Sequence, residues 1–456
     1  MVEGQAKYRP YPAYKPSGVE WVGDIPKDWQ TLRVKFATDF RNKKRNATSA
    51  DAYVGLENVV PWVGEHTPTL EQEIDGLSLA FRSGDVLFGK LRPYLAKSWQ
   101  AIFDGVCSSE FLVMVSQYLE PKFLNYVTLT TDFINQVDGS TYGSKMPRAS
   151  SEFIGQLKIP YPSSDEAAKI AAFLDHETAK IDSLIAKQQR LIALMEEKRQ
   201  AVISHAVTKG LDKSAPLRPS GIEWLGDVPE HWEVRAIKHS VSIPITDGPH
   251  ETPNFVDEGI PFVSAEAVSS GRIDFAKIRA HITERDHARF SQKYTPKLGD
   301  IFMVKSGATT GKLAMVEDDL VFNIWSPLAA IRCRMGINPR FILHFMRSAQ
   351  FQEAIRLYWS FGTQQNIGMK VIENLHTTIP PLKEQNSISN ILDEHVSKFD
   401  GLFDKAQSAI NLLKERRTAL ISAAVTGKID LRDWQPPKGA QPPSTRDINQ
   451  PEEALA

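Results

Sequence analysis

Two long stretches of the chain place apolar residues on a seven-residue period. In the first, Leu174, Ile181, Gln188, Met195 and Val202 recur every seven positions. Glu177, Leu184, Leu191, Lys198 and His205 follow three residues after each, and Ile185 and Ile192 widen the stripe. In the second, Leu392, Phe399, Ala406, Leu413 and Leu420 recur, joined by Val396, Leu402, Phe403, Ala409 and Ile410. A seven-residue repeat on a helix of 3.6 residues per turn makes a seam that has to be buried on another helix. Ser163-Ser164-Asp165-Glu166 fits a capping box, and Pro380-Pro381 suits a first helical turn. At about 1.5 Å per residue, forty-four residues make a rod of roughly 66 Å. Isolated rods of that kind need side-chain burial to stay ordered, so the simplest partner for one is the other. The alternative is that each packs on its own globular neighbour.

The two stretches are copies. Residues 165–208 match 383–426 at a constant offset of 218, through Glu166/Glu384, Asp175/Asp393, Lys180/Lys398, Asp182/Asp400, Glu197/Glu415 and Arg199/Arg417. A shorter segment is also repeated. Ser17-Gly18-Val19-Glu20-Trp21-Val22-Gly23-Asp24-Ile25-Pro26-Lys27-Asp28-Trp29 returns as Ser220-Gly221-Ile222-Glu223-Trp224-Leu225-Gly226-Asp227-Val228-Pro229-Glu230-His231-Trp232, with eight of thirteen positions identical. The order is Trp-rich segment, variable block, long helix, then the same three again. Two periods of this size predict a duplicated half-molecule with a pseudo-two-fold relation rather than a solenoid.

The variable blocks, about 30–160 and 233–380, share little sequence but similar punctuation. In each, Gly-Asp opens an apolar strand, Gly84-Asp85-Val86-Leu87-Phe88 and Gly299-Asp300-Ile301-Phe302-Met303. Basic residues come next, then a second strand (Phe111 to Val115; Leu328 to Arg332) and a helix (about 121–137; 339–358). A Gly/Ser/Thr loop and an apolar exit into proline close each block. Short mixed strands with Gly/Pro turns and one or two helices predict α+β blocks.

Charge narrows the chemistry little. The chain has 54 Lys+Arg against 55 Asp+Glu. The first block carries 14 basic and 14 acidic residues and the second 17 and 15, so any nucleic-acid contact rests on local clusters. Arg41-Asn42-Lys43-Lys44-Arg45 is a compact basic stretch suited to a run of phosphates. Lys90, Arg92 and Tyr94 place two cations and an aromatic ring just after a strand, and Lys145 and Arg148 sit in a small-residue loop. In the second block, His250 and Thr252 lie in the turn-dense segment Asp247 to Pro253. Lys305, Ser306, Thr309 and Lys312 belong to a flexible donor-rich loop, and Gln364, Gln365 and Asn366 supply amides. Arg and Lys suit guanine edges and Asn and Gln suit adenine.

Catalytic signatures fail on inspection. Gly307 to Lys312 has three residues between its glycines where a phosphate-binding loop needs four, and Leu313 stands where the magnesium-binding hydroxyl belongs. No two glycines are spaced Gly-x-Gly. Asn338-Pro339-Arg340-Phe341 lacks the second proline of the Asn-Pro-Pro-Tyr/Phe motif of adenine methyltransferases and better suits a helix cap. His250-Glu251 lacks the second histidine of a zinc helix, and Glu196-Glu197-Lys198 has no Pro-Asp companion for a nuclease motif. Cys107 and Cys333 cannot make a disulfide framework or a four-ligand zinc site. With no apolar run of about 18 residues and no signal-peptide core at the start, a cytoplasmic multidomain protein is expected.

Taken together, the doubled Ser-Gly-x-Glu-Trp-x-Gly-Asp-x-Pro-x-x-Trp, Gly84 to Tyr94 leading to Cys107-Ser108-Ser109-Glu110-Phe111, Asp247-Gly248-Pro249-His250, Gly259-Ile260-Pro261-Phe262 and Ile379-Pro380-Pro381-Leu382-Lys383-Glu384-Gln385 carry a resemblance. The chain resembles the specificity subunit of type I restriction–modification systems over about residues 14–430. The first spacer departs from the pattern, entering through Ile159-Pro160-Tyr161-Pro162. The resemblance implies two globular α+β target-recognition domains separated by two long antiparallel coiled-coil helices. These would be recognition domain one with its Trp-rich segment (1–160), spacer helix one (161–212), recognition domain two (213–380), spacer helix two (381–430) and a Pro-rich, disordered tail (431–456). It further implies a non-catalytic subunit that reads a bipartite, asymmetric, gapped site in double-stranded DNA. Such a subunit joins two methyltransferase subunits and the restriction/translocase subunits, with S-adenosylmethionine, ATP and Mg²⁺ on those partners. The competing expectations are a methyltransferase or restriction-enzyme fragment with its own recognition domains, and a coiled-coil scaffold with no role on DNA.

Overall fold

A computed structural model of the chain describes residues 8–48, 51–68, 77–268, 271–361 and 365–437. It forms two compact units, 1–189 with 407–456, and 190–406. Two long helices, Ser164–Lys209 and Leu382–Val425, run through the chain. Each unit therefore holds the first part of one helix and the last part of the other.

Within each unit the helices run antiparallel. In the first unit Arg417 Nε donates to both carboxylate oxygens of Asp182, at 3.0 and 3.2 Å. In the second, Arg199 Nη1 donates to Asp400 at 3.1 Å. These are the repeat-related residues: Asp182 corresponds to Asp400 and Arg199 to Arg417. The same contact is thus made twice, once in each unit. The buried and half-buried line follows Ile181, Ile185, Gln188 and Ile192 in one helix and Leu392, Val396, Phe399, Phe403, Ala406 and Ile410 in the other, alternating steps of three and four. Leu184, Leu191 and Leu402, expected in the seam, are instead 45–47% exposed. On a helix the positions three and four after a buried residue both lie near its face, and here the fourth makes the contact.

The repeated Trp segment has a structural task. Ser17 N donates to Gly23 O and Ser220 N to Gly226 O, each at 3.1 Å, closing a turn with left-handed glycines at both ends. Trp29 and Trp232 are buried behind it. Trp232 Nε1 donates to Glu384 Oε2 (2.9 Å) at the start of the second long helix, while its ring lies against Gly210, which ends the first. In the other unit Tyr11 Oη donates to Glu166 Oε1 (2.5 Å) at the start of the first helix, and Trp29 lies against Gly427, which ends the second. Each segment clasps one helix start to the neighbouring helix end. Ser163 Oγ accepts from Glu166 N as a capping box requires, but the Glu166 carboxylate turns to Tyr11 instead of closing the box.

The two blocks share a sheet topology that their sequences do not announce. In the first unit Phe111–Ser116 pairs antiparallel with Thr38–Phe40 and Val86–Gly89, with Ser98–Gln100 outside the latter. In the second, Leu328–Ile331 pairs antiparallel with Thr246–Asp247 and Ile301–Val304, with Leu313–Met315 outside. A second four-stranded sheet accompanies each, with one parallel pairing at its end. The Gly-Asp openings act alike. Gly84 and Gly299 are left-handed, and the buried Asp85 and Asp300 each accept the backbone N–H three residues earlier at 2.8 Å. The single helix expected after the second strand is two in both blocks, Pro121–Thr128 with Thr131–Asp138 and Pro339–Arg347 with Ala349–Leu357. Thr130 and Ser348 restart them as side-chain N-caps. Asn338 caps and Pro339 begins its helix, as its sequence predicts.

The chain enters and leaves each block by adjacent strands: Gln30–Arg33 pairs with Lys158–Tyr161, and Glu233–Ala236 with His376–Ile379. At the far end the expected disorder from residue 431 gives way locally. Leu431 is buried, and the Trp434 ring packs edge-on to Phe173 at 5.5 Å, apolar burial outweighing the proline-rich context. The rest of the predicted tail, from 438, lies outside the described residues. Among the described residues no helix is long and apolar enough to cross a membrane, and no group of His, Cys, Asp and Glu is placed to hold a metal ion.

Candidate nucleic-acid interface

The central strand of each block ends in a lysine, and the two lysines occupy equivalent places. Lys90 follows Val86–Gly89; its N–H donates to Glu110 O, just before the next strand, and its carbonyl accepts from Ala149 N at 3.0 Å. Lys305 follows Ile301–Val304; its N–H donates to Pro327 O, again just before the next strand, and its carbonyl accepts from Ile367 N at 2.9 Å. In both cases the partner loop is the one that precedes the last short helix (Ser151–Gln156; Met369–Asn374) and the exit strand. Fold topology therefore brings the same two loops together in each unit.

In the first unit these loops carry most of the residues singled out from sequence. Arg92 N donates to Pro147 O at 2.7 Å, and Arg148 bridges to both Leu91 and Tyr142. Lys145, Arg148, Arg92 and Tyr94 are exposed there. Arg148 is tied to Glu110 at 2.5 Å. Lys90 is half-buried. Burial lowers its ammonium below the usual lysine range, and Arg148 and Lys44 push the same way while Glu110 opposes them. Lys44 and Lys43 are exposed. The other two members of that basic stretch are held elsewhere. Arg41 makes two hydrogen bonds to the buried Asp85 (2.9 and 3.2 Å), and Arg45 two to Asp51 (2.6 and 2.5 Å). A bidentate carboxylate fills the planar face a guanidinium would offer a phosphate, so Lys43 and Lys44 are the members left to face a ligand.

In the second unit the equivalent loops meet through the Ser306–Asn366 bridge and Gly307 N donating to Gln365 O at 3.0 Å. Thr310 Oγ1 closes the loop on Gly307 O (2.7 Å), Thr309 is half-buried and Lys312 is exposed. Gln364 lies outside the described residues. Beside this loop Asp247, 1% exposed, collects three donors: His250 Nε2 at 2.9 Å, Lys293 Nζ at 2.6 Å and Lys305 Nζ at 3.3 Å. Burial works to raise the Asp247 carboxyl, but the hydrogen bonds and charges of Lys293 and Lys305 outweigh it and hold it below the usual carboxylate range. A cavity of about 320 Å³ opens here, bordered by Asp247, His250, Arg289 and Lys293. Thr252 is exposed on the same segment as His250. Sequence reasoning missed Lys293 and Arg289. Arg289 lies in the helix Glu284–Ser291 and Lys293 just after it, among mixed charges that read as ordinary solvated surface; only the fold carries Lys293 to Asp247 and Arg289 to the cavity beside it.

Such loops can do one kind of chemistry well. They offer several cations, amides and hydroxyls on short, pinned backbone, which suits phosphates and base edges.

Comparison with known proteins gives the class. The family model for the type I restriction modification DNA specificity domain matches residues 229–409. The MjaVIII type I specificity subunit of Methanocaldococcus jannaschii is 21% identical over 427 residues, covering 90% of this chain and 95% of that protein. The EcoKI specificity subunit of Escherichia coli is 21% identical, covering 72% and 68%. A structure described as the basis of complex assembly and conformational transition of the type I R-M system superposes with a TM-score of 0.66 at 20% identity, over 89% of this chain and 99% of that one. It shares the fold. These matches make the chain similar, over most of its length, to type I restriction–modification specificity subunits.

Proposed function

We propose that this chain is the DNA-reading, non-catalytic subunit of a type I restriction–modification complex. One observation carries the reading: two blocks of unlike sequence present topologically equivalent loops around Lys90 and Lys305. Equal geometry with unequal side chains suits two readers of one duplex with different base preferences. The target is then bipartite and asymmetric, with an unread gap. Lys43, Lys44, Arg92, Lys145 and Lys312 position the blocks on phosphates, and Lys90, Tyr94, Arg148, His250, Lys305, Gln365 and Asn366 lie where loop side chains meet base edges. Each unit has exposed leucines on its part of the long helices, Leu184 and Leu412 in one and Leu191, Leu194 and Leu402 in the other, that supply surface for methyltransferase subunits, to which the restriction/translocase subunits add. S-adenosylmethionine, ATP and Mg²⁺ serve the chemistry of those partners.

Methylome sequencing of cells expressing this chain with its neighbouring methyltransferase tests the proposal. The expected result is methylation at a two-part motif with a fixed gap. Replacing residues 233–380 with another subunit's block is expected to change one half of the motif only; a change in both halves, or a continuous motif, contradicts it.

A further inference from the structure

The second unit contains a larger cavity, about 740 Å³, between its recognition block and its portion of the long helices. Among the described residues its walls carry six cationic side chains and four carboxylates. Three of the cations have no carboxylate in ion-pair reach among the described residues: Arg347, Lys312 and Arg356. Arg347 is deeply placed, donating to the carbonyls of Gly271 (2.5 Å) and Leu313 (3.4 Å). Burial and the nearby Arg199 lower its guanidinium to about 10, against the weaker upward pull of Glu317, Asp393 and Asp400. A largely buried cation with no carboxylate in direct contact is costly to the fold unless an anion meets it.

The other unit shows how such a place is completed. There the repeat-related Arg417 holds Asp182 and gives its remaining donors to Trp62 O (2.9 Å) and Val63 O (3.0 Å). Arg199 holds Asp400 alone and keeps its other donors toward the cavity. Two side chains that line the cavity each carry a buried polar atom without a partner among the described residues, His344 Nδ1 and Trp359 Nε1. His344 Nε2 faces Asp393 at 2.9 Å, which makes Nδ1 an acceptor in the neutral ring. The wall therefore asks for negative oxygen, for a donor and for an acceptor, in a volume that holds a small organic molecule.

We propose that this cavity binds a phosphate group carrying a polar body of nucleotide size. Arg347 and Arg199 take the phosphate oxygens, Arg356 and Lys312 guard the mouth, and His344 and Trp359 meet the body. Thr310, Gly311 and Lys312 belong both to the cavity wall and to the Lys305 loop, so occupancy is coupled to the reader. The phosphate has two sources, a free nucleotide or the backbone of bound DNA; only the DNA source rests on the function proposed above.

The test is calorimetry on the full chain with ADP, inorganic pyrophosphate and adenosine, beside duplex binding by fluorescence anisotropy. ADP and pyrophosphate are expected to bind and adenosine not. Arg356→Glu at the mouth and Trp359→Phe, which removes only the N–H, should each weaken ADP about tenfold with unchanged circular dichroism. If ADP does not bind but Arg356→Glu weakens the duplex about tenfold, the backbone is the source. No ADP or pyrophosphate binding together with an unchanged duplex affinity overturns the site. Loss of all duplex binding by the wild-type chain with its methyltransferase would instead refute the DNA-reading function, and the ADP arm would still decide the cavity.

Discussion

Arg417 reaches across the paired helices to both oxygens of Asp182, and the same side chain also ties down the carbonyls of Trp62 and Val63. Its repeat counterpart, Arg199, makes one bond to a more exposed Asp400. One duplicated residue has become a deep structural tie in one unit and a lighter one in the other. Burial even raises the Asp182 carboxyl above the usual range despite Arg417 beside it.

The two arginines should therefore differ in their contribution to stability. Arg417→Met strands a half-buried carboxylate and two carbonyl acceptors, and is expected to cost roughly 3 kcal/mol. Arg199→Met should cost under about 1 kcal/mol, as for an exposed pair. Urea denaturation followed by circular dichroism measures both; equal losses would contradict the asymmetry. Adding Asp182→Leu to Arg417→Met should recover part of the loss, because the buried charge goes with it.

Acid should loosen the fold through histidine. Burial lowers His344 below the ordinary histidine range even though Asp393 pulls the other way, and burial also lowers His66 and His376. A histidine lowered on folding takes up its proton more readily when unfolded. The unfolded chain then binds more protons below about pH 6.5, and stability falls as pH drops through that value. The denaturation midpoint at pH 5.5 should lie below that at pH 7.5, and His344→Gln should flatten the difference.

On DNA, Lys90→Ala and Lys305→Ala should act on separate halves of the target. Each is expected to weaken binding of the complex by about 1–3 kcal/mol if its lysine reads a base edge, and to relax discrimination in one half only. Lys43→Ala should instead weaken all sequences alike and reduce the salt slope by about one. Binding measured against half-site variants at several salt concentrations separates the two patterns.

Removal of seven residues from each long helix at repeat-related positions, 186–192 and 404–410, keeps the three-and-four alternation and takes out about two turns. The expected outcome is a shorter unread gap with both half-sites intact. Altered half-sites would mean that the helices do not set the spacing.

Much of this was readable in the chain. The heptads and the repeat offset predicted two long helices that pair with each other, because helix periodicity is local; the tie between Asp182 and Arg417 appeared only in the structure. Leu184, Leu191 and Leu402 misled, since period alone cannot choose between the third and fourth position. The likeness of the two blocks was legible only as punctuation. Gly84-Asp85 and Gly299-Asp300 share a turn that needs those residues, whereas the strands around them need only be apolar. Lys293 was invisible because its importance comes from Asp247, 46 positions away. Arg41 and Arg45 looked available until Asp85 and Asp51 were seen to hold them.

The doorway to each block has a last consequence. Because the chain comes in on Gln30–Arg33 and goes out on Lys158–Tyr161, and likewise on Glu233–Ala236 and His376–Ile379, both covalent junctions of each block lie side by side in one narrow ladder of four facing residues. Genetic exchange at those two short strands, one crossover at each, can install a foreign cassette without touching the clasped helix ends, and so create a new address from old parts.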